Sequence, residues 1–216
     1  MQIGKGGGNV IASMEDKLLI LEIVQNWVLW RDTDAWEKFR TLWHSDAWMG
    51  ATWFQGPAEK FIEISKAGHE RGVSILHMLG GTTIDVRRHR AIAQTKMTIN
   101  QRASLDGVVV DVICMGRFYD FLEKREDRWG IVRRQGVYDK DWLTVVDPAA
   151  SLKLDPALLA EFPAAYQHLG YLQSRLGFAV KKDLPQLKGE AVQALYSHGE
   201  RWLDGVASAF PPGSAQ

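Results

Sequence analysis

Residues 27–43, WVLWRDTDAWEKFRTLW, hold four tryptophans and two aspartates. A carboxylate set among indoles is poorly solvated, so Asp32 is either a plain helix-end cap or a group held for proton transfer. Trp27 and Trp30, with Trp53 further on, are candidates for an apolar wall that stacks on a flat ring and excludes water. The chain has nine tryptophans, more than a core of this size needs, and the excess argues for an aromatic substrate. His77 carries the side chain best suited to taking a proton near neutral pH; its bland alternative is a core histidine satisfied by a backbone carbonyl. Tyr119 and Tyr138 are candidate hydroxyl donors from a sheet, and His69, near a helix end, is a candidate for the pocket edge. His44, His69 and His77 lack close ligand spacing such as H-x-x-x-H, and the single Cys114 builds neither an internal disulfide nor a cysteine-rich metal site. No metal and no cofactor are expected.

The elements that must position these groups follow from periodicity. From Glu15 to about Asp32, apolar residues recur at three- and four-residue intervals, which predicts a helix. Asp34 and Glu37 have the spacing of a capping box for a second helix over 35–42. A third is predicted over 58–70, after the turn at Gly56-Pro57 and before a stop at Gly72. The period then changes to alternation in SILHMLGGTTIDV and HRAIAQTKMTINQRA, and two further strands follow, the first with Gly116 as a candidate bulge. Arg133 and Arg134 are neighbours on the last strand and must point to opposite faces. Helices followed by antiparallel strands make an α+β pattern. The predicted organisation is a flexible glycine-rich segment over 1–14, an α+β domain over 15–148, and a helical extension over 149–216 packed on that domain or on a neighbouring subunit.

Three stretches in order, WRDTDAWEKFRTLWHSDA, ILHMLGGTTIDVRRHRAIAQ and RWGIVRRQGVYDKD, resemble the SnoaL-like group of the nuclear transport factor 2-like superfamily. The group includes scytalone dehydratase, hexachlorocyclohexane dehydrochlorinase, bile-acid dehydratases and polyketide cyclases. The likeness covers roughly residues 15 to 145. It implies a cone-shaped α+β barrel, with a strongly curved antiparallel sheet around three N-terminal helices. It also implies that Asp32, followed by Trp36, meets His77, and that Arg133, four residues after Trp129, joins them as a catalytic group. The tyrosines that scytalone dehydratase-like enzymes carry near the aspartate are replaced by Trp27, Trp30 and Arg31.

The charges balance, with 26 Lys+Arg against 26 Asp+Glu, so no nucleic-acid partner is indicated, and no apolar run approaches the ~20 residues of a membrane span. The N-terminus does not read as a secretion signal, and a reducing cytoplasm is the expected location. The expected protein is a cofactor-independent lyase acting on an aromatic small molecule, with diaryl, lignin-like compounds among the candidates. His77 would abstract a proton, Asp32 would orient it, and water or a small carbonyl such as formaldehyde would leave. An isomerase or cyclase using the same dyad, and a non-catalytic binder of aromatic ligands, are the alternatives. A homo-oligomer, dimer or trimer, paired through the convex face of the sheet, completes the expectation.

Overall fold

The computed structural model describes residues 7–209, with side chains from Met14 onward. Helix α1, Gly7–Asp32, begins at Gly7, so residues expected in a flexible lead-in extend the first helix, while residues 1–6 lie outside the described part. It buries Ile20, Val24, Trp27 and Val28 against the sheet. At its end Asp34 takes a left-handed backbone (φ 64°), and the Ala35 amide returns to the Trp30 carbonyl at 2.8 Å. Asp34 therefore closes α1 instead of opening the next helix, because a short polar side chain tolerates the left-handed region. The expected capping box is absent. Helix α2 shrinks to Trp36–Arg40 with no side-chain cap, and Glu37 pairs with Arg40. Helix α3, Ala58–Glu70, ends as predicted, with Gly72 at φ 84°.

The sheet has six strands: β1 (Trp43–Gly50), β2 (Gln55–Pro57), β3 (Ser74–Arg87), β4 (Arg90–Leu105), β5 (Val108–Arg125) and β6 (Arg128–Val145). Their order is β2-β1-β6-β5-β4-β3. Two expectations are corrected here. The sheet is mixed, because β1 runs parallel to β6, and it stays open between its β2 and β3 edges, neither closed into a barrel nor strongly curled. The long strands β3 to β6 are joined by two-residue turns. Asp106-Gly107 and Glu126-Asp127 both have positive φ throughout, the turn that matches the twist of paired strands. Gly116 sits at a bulge, where the register passes from Met115↔Lys140 to Gly116↔Tyr138. A Cβ there would overlap the Val137 carbonyl oxygen.

Two apolar clusters lie on opposite faces of the sheet. The larger joins α1 and α3 to the inner face; the smaller gathers Ile92, Tyr119, Phe121, Val132 and Val137 on the outer face. The C-terminal residues supply cover to both. Helix α4 (Pro156–Leu159), a 3₁₀ turn at Ala164–Tyr166 and helix α5 (Gln167–Arg175) add Tyr166, Leu169 and Leu172 to the inner cluster. Helix α6 (Glu190–Leu203) lays Val192, Leu195 and Trp202 on the outer one. Part of the convex face expected to meet another subunit is thus covered by the chain itself.

Candidate active site

Asp32 is the last residue of α1, and His77 lies on the inner face of β3. The His77 backbone amide donates to Asp32 Oδ2 at 2.6 Å, and imidazole Nδ1 meets Oδ1 at 2.8 Å. One carboxylate thus fixes both the strand and the ring. A carboxylate with two donors already on it accepts and does not donate, so Nδ1 carries the proton and Nε2 is left with a lone pair. Nε2 makes no hydrogen bond to any described residue. Arg31 Nη1 also donates to Oδ1, at 3.1 Å. Asp32 and His77 side chains are 9% and 6% exposed.

Burial pushes the His77 imidazole down to about 4, outweighing the hydrogen bond to Asp32, and the cations Arg31 and Arg134 push the same way. The ring is neutral at pH 7 and free to take a proton. Asp32 stays below the ordinary carboxylate range: burial opposes its charge, but the hydrogen bonds from His77 and the charges beside it outweigh that.

The dyad borders a small cavity of about 30 Å³, the share of liquid volume of about one water molecule. Trp27, Trp53 and Tyr138 line it, joined by Phe118 of β5. Trp27 stands edge-on to the His77 ring, with centroids 5.4 Å apart. The C-terminal residues close the space. Gln173 of α5 accepts from Thr52 Oγ1 at 2.5 Å and donates to Gln101 Oε1 at 3.2 Å, and Phe178 packs on Trp53.

The other expected site residues lie elsewhere. Arg133 faces the outer side of the sheet, aligned with Trp48 and Phe121, so it is removed from the dyad. Its neighbour Arg134 points inward, forms a two-point pair with Asp120 at 2.6 and 2.7 Å, and lies over the Trp27 ring. Tyr119 is also on the outer face, packed against Tyr196 of α6. Trp30 is half-buried beside the core without lining the cavity, and His69 is an exposed residue edge-on to Trp36. Gln101, Thr52 and Gln173 carry no signal in the sequence, and Arg31 stands there only as a replacement for a tyrosine, with no assigned role. Arg31 had a usable signal, since it directly precedes Asp32 on the same helix. Cys114 is buried filler, its thiol directed at the Ala165 carbonyl. Among the described residues, no three His, Cys, Asp or Glu side chains converge as a metal-sized group, and no helix is long and apolar enough to cross a membrane.

A buried carboxylate, a neutral imidazole and apolar walls can remove a proton from carbon or oxygen. Known proteins place this geometry in context. Pea pathogenicity protein 2 of Fusarium vanettenii is 33% identical over 201 residues, covering 88% of this chain and 86% of that protein. An uncharacterized protein of Emericella nidulans is 34% identical over 206 residues, covering 88% and 87%. Among solved structures, a hexachlorocyclohexane dehydrochlorinase of the LinA type 2 superposes with a TM-score of 0.55 at 9% identity, over 68% of this chain and 97% of that one. A provisionally assigned scytalone dehydratase from Novosphingobium aromaticivorans gives 0.52 at 15% identity, over 67% and 99%. At these identities the structures share the nuclear transport factor 2-like fold. The SnoaL-like domain family matches residues 12–135, and the chain belongs to that family.

Proposed function

We propose that this protein is a cofactor-independent lyase acting on an aromatic small molecule. The observation that carries the reading is the Asp32 carboxylate holding both the backbone amide and Nδ1 of His77, which leaves Nε2 as the base. For loss of water, Nε2 takes a proton from carbon, the C–H pair forms the C=C bond as the C–O bond breaks, and the departing hydroxide takes the proton back from the imidazolium. For loss of a small carbonyl, Nε2 takes a hydroxyl proton, the O–H pair forms the C=O of the departing aldehyde as the C–C bond breaks, and the carbanion left behind takes that proton. Asp32 stabilises the imidazolium as it forms. Arg31 takes the part expected of Arg133: it borders the cavity, and its Nε has no partner among the described residues, so it can donate to a developing oxyanion. The aromatic character of the substrate follows from Trp27, Trp53 and Phe118. Because a ring-sized ligand exceeds about 30 Å³, substrate entry requires Trp53, Phe178 or Gln173 to swing aside.

A homo-oligomer remains part of this proposal. Leu76, Asn100, Ile113 and Trp142 form one row across the outer face beyond α6, with Leu76 54% and Trp142 40% exposed. Light scattering on the full chain reads the stoichiometry directly.

The functional test is mass spectrometry of EDTA-treated protein incubated with hydroxylated aromatic and diaryl compounds, beside His77→Ala. Loss of a defined mass by the wild type alone supports the lyase. An isomeric product of unchanged mass moves the assignment to an isomerase or cyclase. Ligand-induced tryptophan quenching without turnover in either protein moves it to a binder.

A further inference from the structure

A second and much larger cavity, about 680 Å³, lies on the other face of the sheet between β6, α6 and residues 181–185. Its floor is Trp48 and Arg133; its walls include Leu184, Leu195 and His198. Arg133 is 8% exposed and meets no carboxylate among the described residues. Its described partners are neutral: the Ala209 carbonyl at 3.1 Å and Gln135 Oε1 at 3.5 Å, with Nε unpaired among the described residues. The adjacent residue on the same strand shows the contrast. Arg134, fully buried on the inner face, has Asp120 as a two-point counter-ion. A buried cation without a counter-ion is costly, and an anion supplied from outside offsets that cost.

Further features point to the same occupant. Lys181 and Arg201 border the cavity, whereas the one carboxylate among its described lining residues, Asp183, is held by Lys181 at 2.8 Å and faces solvent. His198 is 9% exposed, and its Nε2 has no hydrogen-bond partner among the described residues. Gln55, Gln135 and Ser197 add neutral polar groups, the remaining lining is apolar, and Trp48 offers a flat face beside the Arg133 guanidinium, 5.4 Å from its ring centre.

We infer that this cavity binds an aromatic carboxylate, its carboxyl group paired with Arg133 and its ring against Trp48, Leu184 and Leu195. The volume suits a ligand of two or three fused rings. A guanidinium fork matches a carboxylate in two-point geometry. The site is separate from the dyad, with the thickness of the sheet between them, and β6 connects the two through Arg133 and Arg134. Burial pulls Arg133 down to about 10, which leaves it charged at neutral pH.

The test is calorimetric titration of the full chain with 1-naphthoate, with 1-naphthamide as the uncharged control. Wild type should bind naphthoate saturably, with affinity falling as salt is raised, and should bind the amide at least tenfold more weakly. Arg133→Met should lose tenfold or more, the worth of a charged hydrogen-bonded pair, while His77→Ala should bind as wild type does. Ala194→Trp, at an exposed position on the cavity wall, should block binding without disturbing the fold; it decides the matter if Arg133→Met does not fold. No saturable binding, equal binding of the amide, or loss of binding in His77→Ala with retention in Arg133→Met would overturn the assignment.

Discussion

Asp32→Asn is the substitution whose outcome the geometry specifies most closely. Oδ2 receives the His77 amide at 2.6 Å, while Oδ1 receives His77 Nδ1 at 2.8 Å and Arg31 at 3.1 Å. An asparagine has one acceptor and one NH₂ group. If its oxygen keeps the Oδ1 position, the NH₂ faces a backbone N–H, donor against donor. If it turns over, the NH₂ faces Nδ1 and the Arg31 cation, which forces the imidazole into the opposite tautomer and removes the lone pair at Nε2. In both arrangements Arg31, 9% exposed at its side chain, loses its counter-ion. Breaking a buried pair costs about 3–5 kcal/mol, which for a domain of this size lowers Tm by roughly 10 °C. Turnover should fall by about three orders of magnitude or more, as expected when the group that orients a catalytic histidine is neutralised. Circular dichroism melts and the mass-spectrometric assay read the two effects. A Tm within 2 °C of wild type together with normal turnover would refute the reasoning.

Acid should destabilise the fold through His77. Its folded pKa of about 4 lies below the unfolded 6.5, so on acidification the unfolded chain takes up the proton first. Stability is complete above about pH 6.5 and is lost as the pH falls towards 4, by about 3 kcal/mol from this group. Urea titrations at pH 7 and 4.5 should show the loss in wild type and a smaller one in His77→Gln; equal losses would exclude His77 as the cause. Arg134→Met should cost about 3–5 kcal/mol by stranding the fully buried Asp120, and the double change Asp120→Leu, Arg134→Met should recover most of it. Denaturant midpoints check this, and a double variant no more stable than the single would contradict it. Gly116→Ala should also be destabilising, because its Cβ would collide with the Val137 carbonyl; an unchanged melting curve would count against the register at that bulge.

Much of this architecture can be read from residue order, and the misses have physical causes. Strands β3 to β6 announce themselves by alternation and by turn residues such as Asp106-Gly107. Strand β1 does not: WHSDAWMG breaks alternation because Trp43 and His44 are both buried, on a strand wedged beside β6 under the helices. The Asp34 and Glu37 spacing fits a capping box, but the left-handed turn at Asp34 satisfies the end of α1 instead. Sequence fixes that Arg133 and Arg134 diverge without saying which faces inward. That follows from the register β6 takes against β1 and β5, which places Arg134 opposite Asp120. The two roles of the C-terminal residues are hidden for a similar reason. Helical periodicity marks α5 and α6 as amphipathic but does not assign one to each face of the sheet.

The central claim is that His77 rests as a neutral base with its proton on Nδ1, held by Asp32. Nitrogen-15 NMR of histidine-labelled protein, recorded from pH 7 down to pH 3.5, measures this without knowledge of the substrate. The account predicts a neutral Nδ1–H tautomer at pH 7 that titrates near pH 4. A protonated imidazolium at pH 7, or a neutral ring carrying its proton on Nε2, would contradict it.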